Sequence, residues 1–349
     1  MTMTFSACLH EQLRLHPSMQ PQDLIKLCYQ AARGAEHLLA DTAHARTYFD
    51  QEYAAITADP AQPLFEPISE HIARVNLAAW KASGLPAEWL FRMFVHTASI
   101  PMGGHELLEQ YIGEAAGIAP WGSAEWDEAI AEWRRSGMPA VHHSAEYRRV
   151  EQPAYRIVNR YFACILPILK RLQKDVRVIA IDGRAASGKT TRAALLSAVL
   201  DAPVIHMDDF FLPSALRTQE RLAQPGGNVH YERFAAEVLP HLASGEAFAY
   251  RVFDCRCMDF HGLREIPATP LRIVEGSYAH HPALGSYADL RVFTSLPPEE
   301  QLHRIRLRNG DEMAEMFRTR WIPMEEAYFS HYAIPEGADL LLHAFASES

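Results

Sequence analysis

Hydrophobic and polar positions follow two different periods along the chain, and the change of period divides it in two. In the first part, apolar residues recur three and four positions apart, which predicts helices. The expected helices are Pro21 to Leu39, Thr42 to Ile56, Ile68 to Ala82, Ala87 to Ser99, His105 to Ala116, Ser123 to Ser136 and Ala154 to Lys174. Beyond them, short apolar runs alternate with helical patterns, as in a parallel sheet flanked by helices. We therefore predict an all-α domain over residues 1–170 and an α/β domain over residues 171–349.

The second part opens on a stretch, Val176 to Leu200, that changes from strand-like to loop-like to helical. Its first residues are largely β-branched and hardly alternate with polar ones, as in a strand covered on both faces. The next residues, GRAASGKT from Gly183 to Thr190, match the phosphate-loop pattern G-x-x-x-x-G-K-[ST] at every fixed position. A glycine-rich turn without a ligand is the alternative. The strand before the loop and the helix after it favour nucleotide binding.

The chemistry of such a loop follows from its backbone. Successive N–H groups point inward at phosphate oxygens, and the helix N-terminus adds partial positive charge. Lys189 would reach the β- and γ-phosphates, and the Thr190 hydroxyl would bind a magnesium ion that bridges them. The residues expected to bind the nucleotide are Gly183, Arg184, Ala185, Ala186, Ser187, Gly188, Lys189, Thr190 and Thr191.

Carboxylates follow two of the later strand-like runs. The run that starts at Pro203 ends in Asp208 and Asp209, and the run from Leu271 ends in Glu275. Ligands bind at the carboxyl ends of parallel strands, so these side chains are expected near the phosphates. There, a carboxylate can accept the proton of an attacking hydroxyl or hold magnesium through water. A helix-capping pair is the alternative for the two aspartates.

Arginines cluster near the end of the chain. They are Arg304, Arg306, Arg308, Arg318 and Arg320. Near a phosphate site, guanidinium groups can stabilise the charge of a transferring phosphoryl group. The alternative is a solvated helix face.

Taken in order, these motifs resemble the P-loop kinases of the uridine kinase and phosphoribulokinase group, over about Val176 to Leu342. The resemblance implies a P-loop NTPase fold and the cofactors ATP and Mg²⁺. It implies that Asp208 is the catalytic base and that Glu275 helps Thr190 and Asp208 to hold magnesium. The stretch from Gln301 to Arg320 resembles the pair of helices that forms the lid of these kinases. The ATP contacts implied there are Arg304, Arg308, Arg318 and Arg320. The expected catalytic set is Asp208, Lys189, Arg318 and Arg320.

Two segments depart from the uridine kinase pattern. Asn228 to Tyr231 replace the substrate loop, and Arg251 to Cys257 replace the segment that grips the nucleoside. The expected acceptor is therefore a hydroxyl-bearing small molecule of the nucleoside, sugar or vitamin-precursor class. Cys255 and Cys257 form a C-x-C pair without partner ligands, which we interpret as structural.

Composition narrows the classes of partner. A net charge of −10 without a basic stripe argues against nucleic acid. The five cysteines are too irregularly spaced for a disulfide framework, which indicates a reducing, cytoplasmic location. The first residues lack the apolar core of a signal peptide, and no apolar run approaches the ~20 residues of a membrane span. A homo-oligomer remains open.

The first part carries two histidine groups. His37, Asp41 and His44 would share a helix face if one helix continued through them, but Asp41 is better interpreted as the cap of a second helix. His142 and His143 are interpreted as solvated surface residues. Beside a small-molecule kinase, two hypotheses stay open: an ATP-gated regulatory or binding protein, and a bifunctional enzyme with separate chemistry in the helical part.

Overall fold

The fold is described from a computed structural model that covers residues 4–35, 41–101, 103–172 and 175–344. The chain divides into two compact units, one that runs to Ala163 and one that begins at Cys164. No helix among the described residues is long and apolar enough to cross a membrane.

The first unit is mainly helical. Its helices are α1 (Phe5–Leu15), α2 (Pro21–Arg33), α3 (Thr42–Ala55), α4 (Leu77–Ala82), α5 (Ala87–Ser99), α6 (His105–Ala116), α7 (Ser123–Arg135) and α8 (Ala145–Glu151). Proline at its first position starts α2, and Gly34, with a φ of 60°, ends it. Asp41 caps α3 by accepting hydrogen bonds from the N–H groups of Ala43 and His44, which confirms that a second helix begins there.

The first unit also holds an antiparallel sheet, so the prediction of an all-helical domain was wrong in this respect. The sheet joins β1 (Phe65–Pro67), β2 (Ile72–Asn76) and β3 (Tyr155–Asn159) in that order. The predicted helix over Ile68 to Ala82 is strand β2 followed by the short α4. Four consecutive residues of β2 are buried, so the strand shows no polar alternation, and its apolar spacing imitates a helix.

The predicted long helix from Ala154 to Lys174 does not form. The segment is strand β3, a 3₁₀ turn over Arg160–Ile165 and the one-turn helix α9 (Leu166–Leu169). Pro167 lies in the first turn of α9, where its missing N–H is tolerated, whereas it would break the interior of a longer helix. Among the residues that the structure describes, no continuous helix therefore leads from the first part of the chain into the strand that precedes the phosphate loop.

The second unit is built around five parallel strands. They are β4 (Val178–Gly183), β5 (Val204–His206), β8 (Arg272–Glu275), β9 (Leu290–Ser295) and β10 (Leu340–His343), and their order in the sheet is β10-β9-β4-β8-β5. All six residues of β4 are buried, as its uniformly apolar start predicts. A separate hairpin pairs β6 (Phe248–Asp254) with β7 (Asp259–Ile266), which the sequence analysis did not predict.

Helices flank this sheet. They are α10 (Lys189–Leu200), α11 (Gln219–Leu222), α12 (Tyr231–Glu237), α13 (Leu239–Leu242), α14 (Pro298–Met316) and α15 (Ile322–Tyr332). A π-helical turn over Phe317–Trp321 joins the last two, and Gly310, with a φ of 81°, kinks α14. The parallel sheet with flanking helices confirms the α/β fold expected for the second part.

The strand register places the functional candidates together. Ile181 of β4 and His206 of β5 are both paired with Glu275 at the end of β8. The carboxyl ends of these three neighbouring strands therefore meet at one edge of the sheet, where parallel sheets bind ligands.

Candidate active site

The phosphate loop is held in shape by two glycines. Gly183 has a φ of 141°, and a β-carbon there would lie 2.1 Å from the carbonyl oxygen of Thr294 on β9. Gly188 has a φ of 86° and precedes the first residue of α10. Side chains larger than hydrogen disfavour both conformations, so the loop requires glycine at these positions.

Asp182, a buried carboxylate that the sequence analysis did not single out, holds the start of the phosphate loop. Asp182 accepts hydrogen bonds from the N–H of Gly183 at 2.6 Å and from the N–H of Tyr278 at 3.1 Å. Its other oxygen accepts from the Tyr328 hydroxyl at 2.8 Å and the N–H of His280 at 2.9 Å. All four contacts fix the end of β4, which indicates a structural role.

Lys189 lies at the centre of the loop. Its ammonium group donates to the carbonyl oxygens of Gly183 at 2.8 Å and Arg184 at 3.0 Å, and the residue is buried. The first residue of α10 thus places its ammonium group against the phosphate loop. Phosphate oxygens of a bound nucleotide would compete with these two carbonyl oxygens for that ammonium group.

Two glutamates of α15, Glu325 and Glu326, contact the phosphate loop. Glu326 accepts a bidentate ion pair from Arg184, with N–O distances of 2.7 and 2.9 Å. Glu325 accepts from the N–H of Ala185 at 3.0 Å and from the Ser277 hydroxyl at 2.7 Å. Burial, the largest effect, raises the pKa of Glu325, although Lys189 opposes the shift. Sequence reasoning missed Glu325, because nothing in its local pattern distinguishes it from a surface helix glutamate.

Hard oxygen ligands converge beside the loop. The Thr190 hydroxyl donates to Glu275 Oε2 at 3.1 Å, and the other oxygen of Glu275 lies 2.5 Å from Nδ1 of His206. A hydroxyl and a carboxylate suit Mg²⁺, which binds few protein groups and keeps its remaining sites for phosphates and water. In the part of the chain that the structure describes, no group of three or more His, Cys, Asp or Glu could hold a metal by itself.

The adjacent residues Asp208 and Asp209 have different surroundings. Asp209 is buried, accepts from the Tyr250 hydroxyl at 2.9 Å and pairs with Arg264 at 3.1 Å, so it anchors the β6–β7 hairpin. Asp208 is exposed to a cavity that the phosphate loop also lines. Only Asp208 is therefore placed to meet a ligand.

Asp208 has electrostatic surroundings suited to a base. Protein atoms of the cavity walls surround the carboxylate, and this desolvation, followed by the charge of Glu275, raises its pKa above the usual value. Lys189 acts in the opposite direction. A carboxylate with a raised pKa accepts a proton more readily than an ordinary aspartate does.

The cavity has a volume of about 640 Å³. The loop and the lid helices line one side of it, and the residues there include Ala185, Lys189, Thr191, Arg304, Arg308 and Trp321. The other side consists of Asp208, Phe211, Arg217, Asn228, Cys255 and Met258. The tip of the β6–β7 hairpin thus forms a wall of the same cavity, which the sequence analysis did not anticipate.

The four lid arginines differ in position. Arg304 pairs with Glu300 and Arg308 bonds to Asn309, and both line the cavity. Arg318 pairs with Glu315, both well exposed, and Arg320 lies over the ring of Trp321. Neither Arg318 nor Arg320 lines the cavity, and their catalytic role stays a prediction.

The two adjacent histidines of the first unit differ: His142 is exposed, as interpreted, whereas His143 is buried. His143 is 8% exposed, and its Nδ1 donates to Asp23 at 3.0 Å while its Nε2 accepts from the Tyr155 hydroxyl at 2.6 Å. Ser144 also donates to Asp23, through its N–H and its hydroxyl. The interpretation as surface was wrong for His143, because a long-range carboxylate on α2 satisfies its ring.

The structure describes only Asp41 and His44 of the other histidine group. His37 lies outside the described residues, and Asp41 uses a carboxylate oxygen on the helix cap.

Comparison with known proteins found similarity only to solved structures. No protein-family model and no curated protein sequence matches the chain. A possible uridine kinase from Bacillus stearothermophilus is similar over 52% of this chain and 95% of its own, at 20% identity and a TM-score of 0.40. A proposed fructose transport system kinase from Silicibacter covers 52% of this chain and 97% of its own, at 22% identity and a TM-score of 0.42. D-glycerate 3-kinase from Cryptococcus neoformans covers 47% and 84%, at 14% identity and a TM-score of 0.34.

The chain's own geometry fixes the fold of its second unit. A phosphate loop connects a central parallel strand to a helix. On one side of that strand, β8 ends in Glu275, and Asp208 follows the end of β5. From Cys164 onward, the protein has the P-loop fold that the kinase-like order of its motifs implied.

Proposed function

We propose that this protein transfers the γ-phosphate of ATP to a hydroxyl group of a small molecule. The observation that carries the proposal is Asp208, whose carboxylate faces the cavity that is also lined by Lys189 and Thr190. A nucleotide switch has no need of a proton acceptor at this place, whereas a kinase does.

In this proposal each residue has a separate task. Asp208 accepts the proton of the acceptor hydroxyl as its oxygen attacks the γ-phosphorus, and the bond to the β–γ bridging oxygen breaks to release ADP. Lys189 and the loop N–H groups bind the phosphates. Thr190 and Glu275 would hold Mg²⁺, which supplies neutralising charge to the phosphate oxygens when it is bound.

The lid would complete the site. Arg304 and Arg308 line the cavity from α14, so they are the better placed of the four lid arginines to contact ATP. The acceptor class, the cytoplasmic location and a homo-oligomeric state remain expectations from the sequence.

A panel assay tests the proposal. Purified protein is incubated with ATP, Mg²⁺ and nucleosides, sugars, polyols or vitamin precursors, and ADP formation is measured for each acceptor. Acceptor-dependent ADP formation that is lost in Asp208→Asn supports the proposal. ADP formation that no acceptor stimulates, or that Asp208→Asn leaves intact, contradicts it.

A further inference from the structure

We call the cavity wall outside the phosphate loop and α14 the acceptor side. It contains an arginine, Arg217, that has no anionic partner among the described residues. Arg217 lines the cavity, is half-buried, and donates from Nε to the carbonyl oxygen of Leu212 at 2.7 Å. Within the described part of the chain, no carboxylate lies at ion-pair distance from it, whereas Arg184, Arg251 and Arg264 each pair with one. A cation in a cavity wall that no protein anion neutralises attracts an anionic ligand.

The backbone around Arg217 fixes the direction of the guanidinium group. Arg217 follows the 3₁₀ turn Ser214–Leu216 and donates its N–H to Ser214. The bond from Nε to the carbonyl oxygen of Leu212 orients the guanidinium plane, and the side chain of Cys255 is a further hydrogen-bond partner of the group. Two parallel N–H donors on one edge match a carboxylate or a phosphate, which they can bind in a bidentate manner.

The neighbours of Arg217 belong to the acceptor side and not to the phosphate loop. The N–H of Leu212 donates to the carbonyl oxygen of Asn228 at 3.1 Å, and Phe211 forms a β-bridge with Val229. Cys255 of the hairpin tip lies within electrostatic range of both Arg217 and Asp208. The cation is therefore on the side of the cavity where the reacting hydroxyl must be.

Asn228 supplies a second unused polar group. The residue is 4% exposed and lines the cavity, and its Oδ1 has no hydrogen-bond partner. A buried carbonyl oxygen without a donor is rare in folded proteins and suits a ligand hydroxyl. The wall thus offers one cation and one hydrogen-bond acceptor, and Phe211 and Met258 add apolar surface to the same cavity.

We propose that the phosphate acceptor carries an anionic group, a carboxylate or a phosphate, that Arg217 binds while Asn228 accepts a hydrogen bond from a second hydroxyl. This inference rests on the proposed function for the identity of the site as a kinase acceptor site. It narrows the acceptor to polyhydroxy acids and sugar or polyol phosphates, and it disfavours neutral nucleosides and free sugars.

A binding experiment tests the anion site without any turnover. Cys255 is exposed beside Arg217, so its alkylation by iodoacetamide, located by mass spectrometry in a Cys257→Ser background, reports occupancy of this wall. The probes are glycerate, glycerol 3-phosphate and glycerol, each added with ADP and Mg²⁺. Protection is compared within each variant, because the Arg217 charge itself affects the thiol.

We expect either or both anions to slow the alkylation at least several-fold and glycerol to leave it unchanged. Protection by one anion alone distinguishes a carboxylate from a phosphate. In Arg217→Gln the protection should disappear. Arg256→Gln is the matched control, since it removes one positive charge next to Cys255 on the hairpin tip, at a residue that does not line the cavity. Absence of protection by both anions, or protection that persists in Arg217→Gln, overturns the proposal.

A turnover experiment separates this inference from the proposed function. Matched acceptors are compared that differ only in the anionic group: glycerol and ribitol against their acids and terminal phosphates. Anionic members should have a kcat/KM ~10- to 100-fold above that of their neutral partners, and Arg217→Gln should abolish this ratio without changing the KM for ATP. Transfer to neutral and anionic members at equal rates overturns the anion site and leaves the kinase standing. Arg217-dependent protection of Cys255 without transfer to any acceptor supports the anion site and overturns the proposed kinase activity.

Discussion

At the scale of single residues, the site depends on which of two adjacent aspartates faces the cavity. Asp208 is exposed there, whereas Oδ2 of Asp209 contacts the β6–β7 hairpin and its backbone carbonyl oxygen accepts from Arg233 of α12. The resemblance to the kinase motif pointed to Asp208, the member that lines the cavity, and its role as the base stays a prediction. Propensity alone could not have distinguished them, because the distinction comes from Tyr250 and Arg264, which are distant in the chain.

The first prediction contrasts these two aspartates. Asp208→Asn keeps the shape of the side chain but removes the proton acceptor, so we expect kcat to fall by about 10²-fold or more with little change in ATP binding. Asp209→Asn should instead lower the thermal unfolding midpoint, because it weakens the ion pair with Arg264. Calorimetry and steady-state kinetics on both variants check this. A silent Asp208→Asn together with an inactive but stable Asp209→Asn would reverse the assignment.

The second prediction concerns the buried histidine of the first unit. Burial is the main cause that lowers the pKa of His143 from 6.5 to about 4, against the opposing effect of Asp23. The unfolded chain therefore binds a proton that the folded chain does not bind, and stability is lost as the pH falls from 6.5 toward 4. His16 has a raised pKa between Glu66 and Glu151, so it stays protonated in both states over most of this interval.

Urea unfolding followed across that pH interval measures the effect. The wild-type free energy of unfolding should decrease on acidification, and His143→Gln should show a flatter dependence whatever its absolute stability. An identical slope in the two proteins would mean that His143 is not the group responsible.

At the scale of elements, prediction succeeded where the signal was local. Proline at the start of α2 and the carboxylate cap of α3 lie within their own helices. The phosphate loop is equally local, because its glycines and lysine are consecutive. Strands β2 and β3 were mistaken for helices because both are buried by partners far away in the chain, and burial on both faces removes the alternation that identifies a strand. The proline in α9 was the one local signal that could have corrected the second of these errors.

The third prediction tests the close approach of the loop to β9. Gly183→Ala places a β-carbon 2.1 Å from the Thr294 carbonyl oxygen, so β9 must move, whereas Gly262→Ala has a φ of 79° and meets no atom within 4 Å. Both substitutions cost about 1 kcal/mol of backbone strain. We expect Gly183→Ala to lose clearly more stability than the Gly262→Ala control, as measured by urea unfolding. Equal losses would show that the loop accommodates a side chain at this point.

At the scale of the whole molecule, the chain holds two units with separate sheets and separate buried residues. The sequence predicted the division near residue 170 from the change of hydrophobic period, and the structure divides at Ala163. It could not predict the sheet of the first unit, which joins the middle of that unit to its end.

The fourth prediction is that the second unit folds alone. Its central sheet, its hydrophobic core and the candidate active site all lie after Cys164. A chain that starts at Cys164 should therefore unfold cooperatively and bind ATP with Mg²⁺ within a few-fold of the full chain, as measured by calorimetry. A truncated chain that shows no cooperative transition would mean that the first unit is needed for the fold of the second.

The central claim is that phosphate passes from ATP to a small hydroxyl compound at the edge of the sheet. The most direct measurement follows label from [γ-³²P]ATP into the members of the acceptor panel, in wild type and in Lys189→Ala and Asp208→Asn. The account predicts that label appears in at least one acceptor with the wild type and in none with either variant. Label that reaches only inorganic phosphate, or that reaches the same acceptor in Asp208→Asn at the wild-type rate, would contradict it.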